Sequence, residues 1–336
     1  RNKMKKQLLI AAVAATMGTA VIADVSITGN AKYEYFNTER TTVVDTNESN
    51  TEVNLKVTGK TGDTAVVTNF EFSNQSAADG GAAGMDIEDM YITTKVGMVN
   101  VKAGNWALGT TALAGEIDNG GRTTSKYDLS TTISGVKVYA GMGDQGTTAT
   151  ATGLSDLNTN MYYGVSIPVS GWTVQLKNND QFDEAYGISG EVAGLGVRLE
   201  QKSNDQAGED DVTFGHLTYS VNNIDLAYAW LDSDVDGMIT EDDSAIFAVE
   251  NNSQGKSNAQ ISAKTTIAGN TITVKAGKIG HAEAGLNDDD YAQISGSRAL
   301  ASGATATVTY TDKDDRATGD NTNDTQVLEL DLSVNF

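Results

Sequence analysis

Thr325-Gln326-Val327-Leu328-Glu329-Leu330-Asp331-Leu332-Ser333-Val334-Asn335-Phe336 decides the fold. In an extended chain Leu328, Leu330, Leu332, Val334 and Phe336 share one face, and Glu329, Asp331, Ser333 and Asn335 share the other. One face is wholly apolar and the other wholly polar or charged, and the segment stops on an aromatic. A soluble sandwich can use such alternation, but a barrel strand with lipid outside and water inside requires it.

The same alternation recurs upstream. In the segment 26–36, Ala31, Tyr33 and Tyr35 oppose Asn30, Lys32 and Glu34. Val53, Leu55 and Val57 oppose Glu52, Asn54 and Lys56, and Val99, Val101 and Ala103 oppose Asn100, Lys102 and Gly104. A charge at mid-bilayer on the lipid side of a strand costs about 2–4 kcal/mol, so these charges must point inward and be hydrated. With 16 or more strands a barrel is wide enough to hold water instead of a packed core.

The connections sort by length. Gly62-Asp63, Gly97-Met98, Ser134-Gly135, Ser170-Gly171, Ala193-Gly194, Asn222-Asn223, Gly269-Asn270 and Ser302-Gly303 carry the residues that tight hairpins need. Between them fall longer polar stretches, 37–51, 74–86, 106–126, 143–159, 203–211, 232–256, 280–289 and 312–325, with one short connection near Asn178 to Asp183. Strict alternation of short and long is expected when one rim faces the periplasm and the other the exterior. The expected fold is therefore all-β: a single antiparallel transmembrane β-barrel of 16 strands, or 18 if two weaker segments also pair, with short periplasmic turns and long extracellular loops. The one proline, Pro168, suits a chain that is mostly paired strand.

The opposite end reads as an export signal. Met4-Lys5-Lys6 is basic, Leu8 to Ala15 is a short apolar run, and Val21-Ile22-Ala23 precedes Asp24. Residues 1–23 are expected to be a signal peptide with upstream residues, cleaved after Ala23, and residues 24–336 the barrel domain. The segment is too short and too interrupted by Thr16, Gly18 and Thr19 for a spanning helix, which needs about 20 apolar residues. Without residues 1–23, 19 basic and 45 acidic residues remain, a formal charge of −26 over 313 residues. That balance excludes nucleic acid as a partner and favours cations. With no cysteine, disulfides and thiolate metal sites are excluded.

One motif carries metal chemistry. Asp232-Ser233-Asp234-Val235-Asp236-Gly237-Met238-Ile239-Thr240-Glu241-Asp242-Asp243 follows the twelve-residue calcium-loop pattern, with Asp232, Asp234 and Asp236 at positions 1, 3 and 5, Gly237 at the turn, the Met238 carbonyl next and Asp243 closing. Asp243 stands where glutamate is usual, and its shorter reach weakens bidentate closure. The flanks 224–230 and 245–249 read as strand or loop, not as paired helices, and the same residues equally suit an acidic surface loop. Catalytic motifs are missing: His216 and His281 sit in no nucleophile pattern, there is no Gly-x-Ser-x-Gly, and Gly59-Lys60-Thr61 lacks the first glycine and the helix of a phosphate loop. No enzyme is expected and no cofactor is required; Ca²⁺ is the one ion for which the sequence offers a site.

Three stretches resemble the Gram-negative general (diffusion) porins: residues 24–33, DVSITGNAKY; residues 88–106, EDMYITTKVGMVNVKAGNW; and the C-terminal strand ending in Phe336. The resemblance implies a homotrimer of water-filled barrels in the outer membrane, passing small hydrophilic solutes and ions by passive diffusion. It implies that the third long loop, 106–126, folds inward to constrict the pore, with Glu116, Asp118, Arg122 and Lys126 as its charges and Lys32, Lys56 and Lys102 on the facing wall. It also implies that Phe336 is read by the outer-membrane assembly machinery. The chain departs from the family in lacking a Pro-Glu-Phe-Gly segment in that loop and in having only five arginines after residue 23. The overall acidity predicts cation preference. The other reading of the sequence is a secreted or surface-attached calcium-binding β-protein, such as an adhesin or surface-layer component.

Overall fold

The computed structural model describes residues 24–41, 44–73, 84–107, 122–144, 159–179, 182–203, 211–233, 246–249, 255–281, 288–314 and 324–336. They form β1 (Asp24–Arg40), β2 (Thr46–Thr61), β3 (Thr64–Ser73), β4 (Gly84–Val96), β5 (Val99–Ala107) and β6 (Arg122–Ile133). Next come β7 (Val136–Asp144), β8 (Thr159–Val169), β9 (Trp172–Asn179), β10 (Phe182–Val192), β11 (Leu195–Ser203) and β12 (Val212–Val221). The remainder are β13 (Ile224–Ser233), β14 (Gly255–Ile267), β15 (Asn270–His281), β16 (Asp289–Ala299), β17 (Ala304–Asp314) and β18 (Thr325–Asn335). The barrel thus has 18 strands, the larger of the two expected counts.

Every strand pairs antiparallel with its sequence neighbours, and β1 pairs with β18 to close the cylinder. Closure removes the unpaired edge that lipid cannot hydrate. The register Tyr33↔Leu332 and Glu34↔Asp331 keeps like faces together across the seam. Val25, Ile27, Met90, Ile92, Ile261, Ile294 and Leu332 point outward and are exposed, forming the apolar belt.

Eight tight turns define one rim. Five of them hold both central residues at positive φ: Ser134 and Gly135, Ser170 and Gly171, Ala193 and Gly194, Asn222 and Asn223, and Ala268 and Gly269. This is the mirror-image turn whose twist matches that of the flanking strands. Asp24 and Phe336 lie at the same rim. At the opposite rim β1 and β2 run on to Arg40 and from Thr46, so most of the expected loop 37–51 is paired strand. Its polar sequence reads as loop because the hairpin rises beyond the apolar belt, where both faces are polar. Tyr35 and Asn37 side chains each donate to Asn47 Oδ1 at 2.8 Å.

Eighteen strands spaced about 4.8 Å and tilted about 40° enclose a backbone cylinder about 36 Å across. Inward side chains do not fill such a width. The described residues accordingly contain one small apolar core cluster, on the lumenal face of β12 and β13.

Two tyrosines show how the wall is kept flat. Tyr162 of β8 lies across Gly141 of β7 and donates to Asp128 Oδ2 on β6 at 3.0 Å. Tyr291 of β16 lies across Gly277 of β15 and donates to Asn258 Oδ1 on β14 at 2.7 Å. In each case a Cβ on the middle glycine would overlap the ring. The ring spans three strands instead of projecting into the bore, which fills the space left by a strand glycine.

Candidate channel lumen

The lumenal wall sorts its charges by arc. From β18 through β1 to β4 the inward positions carry Glu329, Asp331, Asp24, Glu34, Glu48, Glu52, Glu71, Asp86 and Asp89, with Lys32, Lys56, Lys60 and Lys95 among them. From β5 to β15 they carry Lys102, Lys137, Lys177, Arg198, Lys264 and Lys275, with Asp128, Glu200 and Asp225 among them. Strand alternation, with apolar residues on the lipid face, sends mid-strand charge to these positions, so the segregation is written into which strands carry acids and which carry bases.

Several of these groups are held against the wall. Lys32 forms an ion pair with Glu34. Glu34, Glu329 and Asp331 each place one carboxylate oxygen within 4.8 Å of the others, a spacing at which one cation can neutralise all three. Lys102 Nζ lies 4.0 Å from the Tyr91 ring centroid and 4.2 Å from that of Trp106, the two rings meeting edge-on at 6.0 Å. Arg198 Nε sits 3.1 Å from Glu200 Oε1 on the same strand. Lys177 is buried with its ammonium 5.3 Å from the Tyr162 ring centroid. Such placement satisfies the cations on aromatic faces and carboxylates and holds them against the wall.

Near the long-loop rim, Asp289 is fully buried, with His281 Nε2 at 3.4 Å and Lys313 Nζ at 3.3 Å from its Oδ2. This cluster ties β15, β16 and β17 together below their loops.

The one described segment that leaves the wall and enters the lumen is Ile246–Val249, part of the β13–β14 connection. Phe247 packs on Val212, Phe214, Ala229 and Leu231, with Ile246 beside it. Burying a phenyl ring in this way contributes about 1.5–3 kcal/mol. The Gln260 amide binds the segment at both ends, accepting from Ala248 N–H at 2.7 Å and donating to Ile246 C=O at 2.6 Å. Asn258 Nδ2 donates to Val249 C=O at 2.9 Å.

Of the residues singled out by sequence, Lys32, Lys56 and Lys102 lie on the lumenal faces of β1, β2 and β5, on three separate strands. Arg122 and Lys126 belong to the backbone of β6, opposite Ala107 and Gly104. Glu116 and Asp118 lie outside the described residues, as do Asp234, Asp236, Met238 and Asp243. Asp232 is at the end of β13, exposed and pairing across to Thr213 and Ser257. Phe336 pairs with Gly29. Sequence reading missed the inward segment and its partners Asn258, Gln260 and Tyr291. The available signal was the apolar run Ala245-Ile246-Phe247-Ala248-Val249 inside an otherwise polar connection.

A closed antiparallel barrel, apolar outside and charged within, is of the transmembrane β-barrel class. Solved structures of that class share this fold. Pseudomonas aeruginosa OccK9 (OpdG) superposes with a TM-score of 0.66 at 14% identity, covering 93% of this chain and 99% of its own. The P. aeruginosa outer membrane protein OpdK gives 0.66 at 12%, covering 93% and 98%. A BenF-like porin from Pseudomonas fluorescens Pf-5 gives 0.65 at 13%, covering 94% and 100%. No protein-family model matches the chain, and no curated protein matches it in sequence.

Proposed function

We propose that the protein is an outer-membrane porin, a passive water-filled channel for small hydrophilic solutes and ions. The observation that carries this reading is the two-sidedness of the wall: an apolar belt outside, and rows of Lys, Arg, Asp and Glu facing a lumen that wall side chains do not fill. A secreted calcium-binding β-protein has no use for that belt. The likeness of fold to a BenF-like porin and to an outer membrane protein supports the same reading.

Charge selection follows from placement. The two arcs of the wall nearly balance, and they set up a field across the pore that orients dipolar solutes. The excess negative charge belongs to the long connections, such as 232–243 and 312–315, so the preference for cations arises at the exterior mouth. The barrel assembles as a homotrimer, Phe336 serves as its assembly signal, and Asp232, Asp234, Asp236, Met238 and Asp243 bind Ca²⁺ weakly to stiffen one exterior loop. Purified protein in planar bilayers tests the channel reading, and reversal potentials in a salt gradient test its cation preference. Protease protection of the 232–243 loop during calcium titration tests the metal site. Cross-linking in detergent tests the trimer.

A further inference from the structure

The inward faces of β12 to β16 form a grid with small residues at its middle. Register places Thr218, Ala227, Ser262, Lys275 and Gln293 in one row across the five strands. Ser220, Asp225, Lys264, Thr273 and Ser295 make the next row, nearer the tight turns. Ala227, Ala229 and Ser262 are shorter than their neighbours, and a recess of about 760 Å³ opens over them. A space of that size accepts a small organic solute.

The polar groups around the recess are unequally engaged. Lys264 is opposite Thr273, two residues before Lys275, so the two lysines are diagonal neighbours on adjacent strands. At that spacing two long side chains reach a common point. Ser262, opposite Lys275 and two residues before Lys264, stands beside both. Lys264 makes no ion pair or hydrogen bond among the described residues, although Asp225 lies opposite it on β13. Asp225 accepts from the Ser220 hydroxyl at 2.7 Å. Gln293 donates its amide to Thr311 Oγ1 at 3.0 Å, which turns its carbonyl oxygen to acceptor duty. Gln260, at the far end, is engaged by Ile246 and Ala248.

An anionic group in this recess meets two ammonium donors and a hydroxyl, and a hydroxylated body meets two acceptors, Asp225 and Gln293. Among the described residues no arginine lines it. A planar carboxylate matches the fork of a guanidinium, whereas a phosphate ester spreads its charge over oxygens that separate point charges can meet. The recess also lies on the basic arc of the wall, apart from the acidic seam. We propose that it is a subsite for phosphorylated polyols, the sugar phosphates by chemical class, with Lys264 and Lys275 holding the phosphate and Asp225 and Gln293 the hydroxyls. This deepens the channel reading and rests on it.

The test uses the full chain, purified folded, in planar bilayers, and reads the half-blocking concentration of an added solute from interruptions of the ion current. Glucose 6-phosphate is the probe, with glucose and gluconate as its neutral and carboxylate counterparts. Glucose 6-phosphate is expected to act at about tenfold lower concentration than gluconate, and glucose to leave the current uninterrupted. Lys264→Gln and Lys275→Gln are each expected to raise the half-blocking concentration about tenfold. Ala227→Leu, which keeps both lysines and fills the floor, is the second variant and is expected to abolish the interruptions while the open channel still conducts. Gluconate acting at the same concentration as glucose 6-phosphate overturns the phosphate assignment. A conducting wild type that glucose 6-phosphate does not interrupt, or half-blocking concentrations unchanged in all three folded variants, overturns the subsite and leaves the channel reading standing. A wild type that does not conduct overturns the channel reading, and the subsite with it.

Discussion

Gly29 and Phe336 join the two edges of the barrel: Gly29 N–H donates to the Phe336 carbonyl at 2.8 Å, and Phe336 N–H donates to the Gly29 carbonyl at 3.0 Å. A Cβ at residue 29 would collide first with the Asn54 carbonyl of β2, and would lie 3.1 Å from both Leu55 and the tip of the Phe336 ring. Residue 29 is thus kept without a side chain by β2 on one side and by the Phe336 ring at the seam on the other.

Gly29→Val should therefore weaken closure. Overpacking at a close contact costs about 1–3 kcal/mol, and here it falls on the pairing that makes the sheet endless. The expected outcome is a lower yield of folded barrel and a lower temperature for the heat-induced mobility shift on gels. Deleting Phe336 should reduce membrane-inserted protein further, measured by fractionation of expressing cells. An unchanged shift temperature for Gly29→Val would remove the seam contact from the account.

Gly141→Val should narrow the bore without unfolding the barrel. The added side chain meets the Tyr162 ring, which must leave the wall and give up its bond to Asp128. Single-channel conductance is expected to fall, and Tyr162→Ser in the same background is expected to restore it. If the single variant conducts like wild type, the ring does not need its glycine seat.

Cation preference should fade as salt rises. If the acidic excess of the long connections sets the preference as proposed, it is screened over about 10 Å at 0.1 M and about 3 Å at 1 M. Reversal potentials measured at a fixed gradient ratio should move toward zero at higher absolute concentration. Lys102→Gln, which removes a wall cation held between Tyr91 and Trp106, should push the preference further toward cations at every concentration. Anion preference at low salt would contradict the placement of the acidic excess at the mouth.

The barrel itself was legible because period-two alternation is a local signal: Leu328 to Phe336 announces its two faces without reference to any other strand. Turn residues such as Asn222-Asn223 were equally local. Strand length was less so, because the upper parts of β1 and β2, with Asn37, Asn47 and Glu48, are polar on both faces and look like loop. The placement of Ile246–Val249 was not legible, because Gln260 and Asn258 read as ordinary inward polar residues until Phe247 is seen to lie against β12. A partner brought from a separate connection leaves no period in the sequence. The lumenal tyrosines are a middle case: Tyr162 and Tyr291 could be placed on inward faces, but that each rests on a glycine of the adjacent strand depends on register.

The central claim is that the cylinder encloses a continuous aqueous path. The most direct measurement is ion current through single purified proteins in a planar bilayer. The account predicts discrete, long-lived conductance steps that scale with bulk electrolyte conductivity at high salt. A protein that inserts into the bilayer, keeps its heat-modifiable barrel and passes no current would contradict it.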